Sequence, residues 1–177
     1  MKTILITAFE PFGGKKTNAS AEVLQQLPEQ IGEAHVRKQL LPVVFGKAAE
    51  SVSGTYDFIF LLGEAGRETV TPETTARNLR SARIPDNEGN LPENEPIATD
   101  GPEQYRTAVQ VQALVEEMQK EGYRINVSDD AGNFVCNDTF YLVGTGHKEP
   151  VEFIHVPTAY TEDAPGTVCR FIELAVN

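Results

Sequence analysis

Few side chains in this chain can do bond-making chemistry, and two of them fall in segments with suggestive surroundings. Cys136 lies in Ser128-Asp129-Asp130-Ala131-Gly132-Asn133-Phe134-Val135-Cys136-Asn137. The segment leaves a strand, turns through Ala131-Gly132 and enters Phe134 to Leu142, which can be helical. A cysteine near a helix N-terminus has its thiolate favoured by the helix dipole and by free backbone N–H groups. The same N–H groups can hold an oxyanion. The competing reading is a buried structural thiol, the commoner fate of a lone cysteine. Cys169 fits that reading, beside Val168 and Phe171 in an amphipathic last helix.

His155 sits in Phe153-Ile154-His155-Val156-Pro157, at the end of a strand, where an imidazole can take the proton of a thiol. A strand histidine with a satisfied hydrogen bond fits the spacing equally well. His35 and His147 have no companion chemistry and read as surface residues. Three scattered histidines without a close pair argue against a zinc site. A third group should orient the imidazole. Glu73, in Val70-Thr71-Pro72-Glu73-Thr74, and Glu68 are both placed for it, and residue type alone does not choose between them.

The elements that must position these residues alternate between strand-like and helix-like, the pattern of a layered α/β fold. Lys2 to Ala8 is a β-branched apolar run, followed by a turn through Phe9-Glu10-Pro11-Phe12-Gly13-Gly14. Asn18 and Ser20 are alternative N-caps for a helix through Ala21 to Leu24. Strands are expected over 36–44, 56–62, 124–127 and 151–156. Helices are expected over 45–53, 105–121 and 168–176, with Val109, Leu114, Val115 and Met118 on one face of the second. Residues 83–102 lack an apolar period and read as a long loop or lid. Ligands of open α/β sheets collect at strand carboxyl ends, where Phe9 to Gly14, Gly63 to Glu73, Ser128 to Cys136 and His155 all fall.

The chain has 177 residues, 40% of them hydrophobic, which fits one domain spanning 1–177 with a substantial core. The formal net charge of −11 argues against nucleic acid or an anionic membrane as partner. The apolar stretch after Met1 stops at Glu10-Pro11, too short for a secretion signal, so a cytoplasmic location is expected. Two cysteines outside any CxxC spacing are then expected as free thiols.

Taken together, the quoted segments resemble the pyroglutamyl-peptidase I family of cysteine peptidases. Phe9-Glu10-Pro11-Phe12-Gly13-Gly14 with Asn18 is similar to its N-terminal signature, and Leu41-Pro42-Val43-Val44-Phe45 to its second strand. Ala82-Arg83-Ile84-Pro85-Asp86-Asn87-Glu88-Gly89 is close to a family loop. Ala131 to Asn137 and Phe153 to Pro157 resemble the nucleophile and histidine segments. The resemblance implies a three-layer α/β/α sandwich with a largely parallel central sheet. It implies an exopeptidase that removes N-terminal pyroglutamate through a Cys-His-Glu triad, with no metal or organic cofactor. Cys136 then matches the nucleophile, His155 the base and Glu73 the orienting acid. Phe9 and Phe12 match aromatic residues of the pyroglutamate pocket, and Arg83 an arginine near the site. The expected partners are peptides beginning with pyroglutamate, with a homo-oligomer left open by the same resemblance.

The chain departs from the family pattern at Glu64, a pocket position where the family usually has glutamine, and in a Gly66-Arg67 loop one residue short. Those departures support an alternative: an impaired relative that binds a small molecule or peptide without turning it over. A nucleotide or phosphate binder, suggested by Gly13-Gly14 after a first strand, lacks the GxGxxG or GxxxxGK[ST] pattern that would support it.

Overall fold

In the computed structural model, which describes residues 1–177, the first strand sets the architecture. β1 (Lys2–Phe9) is buried from Ile4 onward on both faces, as a central strand of a covered parallel sheet must be. β2 (Gln30–Ile31) and β3 (Ala34–Leu41) lie to one side of it; β4 (Phe58–Ala65), β8 (Val151–Pro157) and β5 (Thr71–Pro72) lie to the other. The order is β2-β3-β1-β4-β8-β5, with β3, β1, β4 and β8 parallel and the two short edge strands antiparallel. β6 (Thr75–Arg77) and β7 (Gln104–Arg106) form a separate antiparallel pair.

Helices cover both faces, which gives the three layers. Ile4, Ile6, Ala8, Phe60, Leu62 and Ile154 point into one core with residues of α1 (Ala19–Gln26), α3 (Val111–Lys120) and α5 (Ala164–Val176). Leu5, Phe9, Ile59, Leu61, Val151 and Phe153 alternate to the other face, against α2 (Lys47–Glu50) and α4 (Val135–Gly146). α4 is buried along most of its length, including the polar Asn137, Asp138 and Thr139. Each of these is bonded: Asn137 to the backbone of Arg77 and Leu79, Asp138 to Arg80 and the Gly46 N–H, Thr139 to the Val135 carbonyl. Buried polar groups are tolerated on these terms. No helix is long and apolar enough to cross a membrane.

Several expected elements shift. The strand expected over 36–44 runs over 34–41 and ends at Pro42, which can donate no ladder hydrogen bond. The helix expected over 45–53 shortens to α2. The third helix starts at Val111 instead of 105, because Gln104–Arg106 is taken by pairing with β6. The last helix starts earlier, at Ala164, with Pro165 in its first turn, where the missing N–H costs nothing. The strand expected at 124–127 is reduced to backbone bonds from Asn126 to Val70 and Ser128 to Pro72, with Thr74 bonded back to Ser128. Residues 83–102 form a loop, but not a lid. Asp86 accepts the N–H groups of Phe45, Glu88 and Asn90, pinning the loop to the turn before α2.

One buried group weakens this packing. Glu152 is fully buried; its Oε1 accepts the Phe153 N–H and its Oε2 has no partner. Burial raises its carboxyl well above the ordinary value of 4.5, so the fold favours its protonated form. The unfolded chain releases that proton at lower pH. Stability from this group is therefore complete below about pH 4.5 and is lost as pH rises toward the folded value. Glu152→Gln should flatten the decline and make the protein more stable than wild type near neutrality. Denaturant unfolding of both proteins across pH checks this; parallel curves would contradict it.

Candidate active site

Strand register brings the chemistry-bearing residues to one end of the sheet. Gly63 in β4 lies opposite His155 in β8, and His155 lies opposite Thr71 in β5. β5 then delivers Glu73, whose N–H donates to the Phe153 carbonyl at 2.8 Å. His155 Nδ1 and Glu73 Oε2 are 2.7 Å apart, both side chains buried. The Phe153 ring packs beside the imidazole at 4.8 Å between centroids.

Cys136 is the second residue of α4 and reaches the same place from above the sheet. A Cβ on Gly63 would lie 2.6 Å from its Sγ and 2.7 Å from Phe153 Cζ, so the thiol occupies space that only glycine leaves open. Asn137 fixes the helix start by bonding the backbone of Arg77 and Leu79. Phe134 provides no side-chain cap, which leaves the first-turn N–H groups of α4 without a capping acceptor.

A cavity of about 270 Å³ opens here, lined by Cys136 and His155 and walled by Phe9, Phe12, Val43 and Phe134. Phe12 and Phe45 each pack against Phe134, at 5.7 and 5.4 Å. Phe12 sits on the turn whose Gly13 and Gly14 have positive φ, the conformation glycine supplies most easily. Asn18 closes that turn: it caps α1 by accepting the Ser20 N–H and donates to the Glu10 carbonyl. Of the two candidate caps, Asn18 is the one used, and Ser20 Oγ instead accepts the Phe9 N–H.

Glu64 lines the cavity, but its carboxylate is occupied. Oε1 pairs with Lys15 and Oε2 accepts the Ala19 N–H at 2.8 Å, at the positive end of α1. Glu68 is exposed, whereas Glu73 is fully buried against His155, which separates the two candidate acids. Arg83 is exposed on its loop, makes no side-chain hydrogen bond or ion pair and does not line the cavity. The arginine found there is Arg67, whose guanidinium approaches Glu73 Oε2 at 3.2 Å. In the sequence it drew notice only as part of a shortened Gly66-Arg67 loop, not as a site residue. Cys169 is half-buried at the α5 core, and His35 and His147 lie elsewhere.

The electrostatics of the thiol oppose the expectation from its helix position. Burial, then the Glu73 and Glu64 carboxylates, push the Cys136 thiol up to about 12, with Arg67 pulling the other way. Desolvation and two nearby negative charges outweigh a helix dipole that acts over one turn. At rest the group is a thiol, and a thiolate forms there only when a neighbouring base takes the proton.

A thiol beside an imidazole–carboxylate pair, in a small cavity with aromatic walls at the carboxyl ends of parallel strands, is an arrangement suited to cysteine-dependent hydrolysis. The comparisons agree. A profile described as pyroglutamyl peptidase matches residues 2–165. A pyrrolidone-carboxylate peptidase of Bacillus cereus is 39% identical over 199 aligned positions, covering 100% of this chain and 92% of the relative. Another, of Fusobacterium nucleatum, is 39% identical over 89% of this chain and 78% of its own. The crystal structure of Bacillus amyloliquefaciens pyroglutamyl peptidase I superposes with a TM-score of 0.91 at 34% identity, over 99% of this chain and 97% of that one. A mutant pyrrolidone carboxyl peptidase of Pyrococcus furiosus gives 0.89 at 32% identity, over 98% of each chain. The chain belongs to the pyroglutamyl peptidase family of cysteine peptidases.

Gly63→Ala should displace the thiol without straining the backbone, since this glycine does not adopt a positive φ. Overpacking of this kind costs about 1–3 kcal/mol. The specificity constant should fall at least tenfold, on the order expected when a reacting group moves by an ångström. Thermal unfolding and steady-state kinetics together check this; full activity in a destabilised variant would show that the thiol's position is not critical.

Proposed function

We propose that the chain removes N-terminal pyroglutamate from peptides, with Cys136 as nucleophile, His155 as general base and acid, and Glu73 as the orienting carboxylate. The observation that carries the reading is the 2.7 Å bond between His155 and Glu73 in the cavity that Cys136 also lines. With Glu73 ionised, Nδ1 of His155 carries the proton and Nε2 is the nitrogen left to act as base. It takes the Cys136 proton as Sγ attacks the carbonyl joining pyroglutamate to the next residue. Because the resting thiol lies so high, attack and proton transfer are coupled, instead of starting from a preformed ion pair.

In this reading the first-turn N–H groups of α4, which Phe134 leaves without a side-chain cap, receive the oxyanion. His155 then protonates the leaving amine, the C–N bond breaks, and water activated by the same imidazole releases pyroglutamate from the thioester. Substrate choice follows from what the cavity lacks. A lactam is small, flat and uncharged, which suits aromatic walls around about 270 Å³. A free N-terminal ammonium would need an unpaired acid. Glu64 is engaged by Lys15 and α1, and Asp130 by Arg77 and the Gly132 N–H.

Hydrolysis of a chromogenic pyroglutamyl amide tests the reading. Cys136→Ala should abolish turnover while Cys169→Ser retains most of it. Glu73→Gln should lower kcat by about a hundredfold or more with little change in KM, since its role is to orient and stabilise the imidazolium. Glu68→Gln should be nearly silent. Small and equal effects from the two glutamate substitutions would remove Glu73 from the mechanism, and inactivation by Cys169→Ser would reassign the nucleophile.

A further inference from the structure

We infer that Arg67 is a positioning residue of this site: its guanidinium keeps Glu73 a carboxylate and ties it to the loop that delivers Cys136. The inference rests on the proposed triad. Glu73 is fully buried, and its Oε2 faces both His155 Nδ1 and the Arg67 guanidinium while Oε1 has no hydrogen-bond partner. A buried carboxylate whose sole partner is a neutral imidazole tends to take up a proton, and a protonated Glu73 could not stabilise an imidazolium. Arg67 is the one arginine or lysine in ion-pair contact with it.

The same guanidinium spans three segments. Nη1 donates to Thr71 Oγ1 at 3.1 Å, two residues before the acid, and Nη2 donates to the Asp130 carbonyl at 2.7 Å, in the loop that leads into α4. Its own backbone is set by a tight turn off β4, with the Arg67 N–H on the Ala65 carbonyl at 2.7 Å. Asp130 is held in turn by Arg77, whose Nη2 lies 3.1 Å from its Oδ1. Lysine could supply the charge but not this fork.

The other titratable groups around Glu73 leave this role to Arg67. On β8, Glu152 is an acid that burial pushes toward its neutral form, and it supplies no positive charge. On α4, Cys136 is likewise a thiol. At the end of β4, Glu64 is paired with Lys15, and the Asp130 side chain is paired with Arg77. His155 remains, and it shares its proton with Glu73 as one coupled pair. Removing the Arg67 charge makes that pair bind its proton more tightly. The working state has one proton fewer, so the acidic limb of activity must move to higher pH.

The test uses Arg67→Met and Arg67→Lys, each confirmed folded by thermal unfolding. Two profiles are measured against pH: kcat/KM on a pyroglutamyl amide, and the rate of Cys136 alkylation by iodoacetamide. In Arg67→Met the acidic limb of both should rise by about one pH unit, the lower end of the effect of an opposite charge at this range. In Arg67→Lys the limb should return to its wild-type position even though kcat falls. An Arg67→Met limb that coincides with wild type, however slow the enzyme, would make Arg67 a structural strut and overturn the inference. Should Arg67→Met not fold, Arg67→Gln takes its place as the charge-removing variant: a limb raised above wild type supports the inference and an unmoved limb overturns it. Failure of the wild-type chain to cleave the amide would sink the substrate reading, whereas the alkylation profiles still report on the thiol–imidazole pair.

Discussion

The hydrogen bond between His155 and Glu73 is the constraint around which this end of the molecule is built. It requires a strand that carries histidine at its carboxyl end and an edge strand that runs back against it to present a carboxylate. β8 and β5 meet both requirements, with His155 opposite Thr71 and the Glu73 N–H on the Phe153 carbonyl. The neighbouring parallel strand must then be bare where the thiol approaches, and Gly63 is bare at the position opposite His155. The helix carrying Cys136 must not drift, and Asn137 ties its first turn to the strand that follows Glu73. Moving any one of these elements would break the contact between acid and imidazole or between thiol and cavity.

Charge in the site is arranged more tightly than its small size suggests. Three carboxylates, Glu64, Glu73 and Glu152, lie close enough to one another or to the thiol to matter, and each is managed differently: by Lys15 and a helix end, by Arg67, and by protonation. Burial first, and then the Glu73 and Glu64 carboxylates, favour Cys136 as a neutral thiol at rest. In the proposed mechanism the imidazole must therefore supply the base that the thiol lacks. A neutral resting thiol is also a poor target for oxidants and electrophiles, which react with thiolates.

Much of this was legible in the sequence, for physical reasons that differ by element. β1, β4 and β8 announce themselves because strands buried on both faces are predominantly apolar, β-branched and aromatic runs, interrupted here where Glu64, Glu152 and His155 fall. Cys136 and Cys169 could be told apart because one follows a glycine turn and the other sits in an amphipathic helix. β5, β6 and β7 could not be read, since they are two or three residues long and held by tertiary pairing; β5 even contains Pro72, tolerated at a sheet edge. Glu73 and Glu68 differ only in burial, which no local pattern records. Arg67 was legible only as part of a shortened loop, its approach to Glu73 being a tertiary contact, and Arg83 drew attention through its loop motif, yet Asp86 organises that loop and leaves Arg83 in solvent. The thiol's charge state ran against local reasoning because a dipole is a local feature, whereas burial, and after it Glu73 and Glu64, come from distant segments packed around it.

The proposed chemistry passes through one covalent species, a thioester between Cys136 and the pyroglutamyl group. Rapid acid quench of the enzyme turning over an activated pyroglutamyl ester, followed by peptide mass mapping, looks for it directly. A pyroglutamyl adduct confined to the peptide carrying Cys136, forming and decaying at rates compatible with turnover, is the result expected. Turnover with no adduct on Cys136 under conditions that trap thioesters, or with the adduct on Cys169, would contradict it.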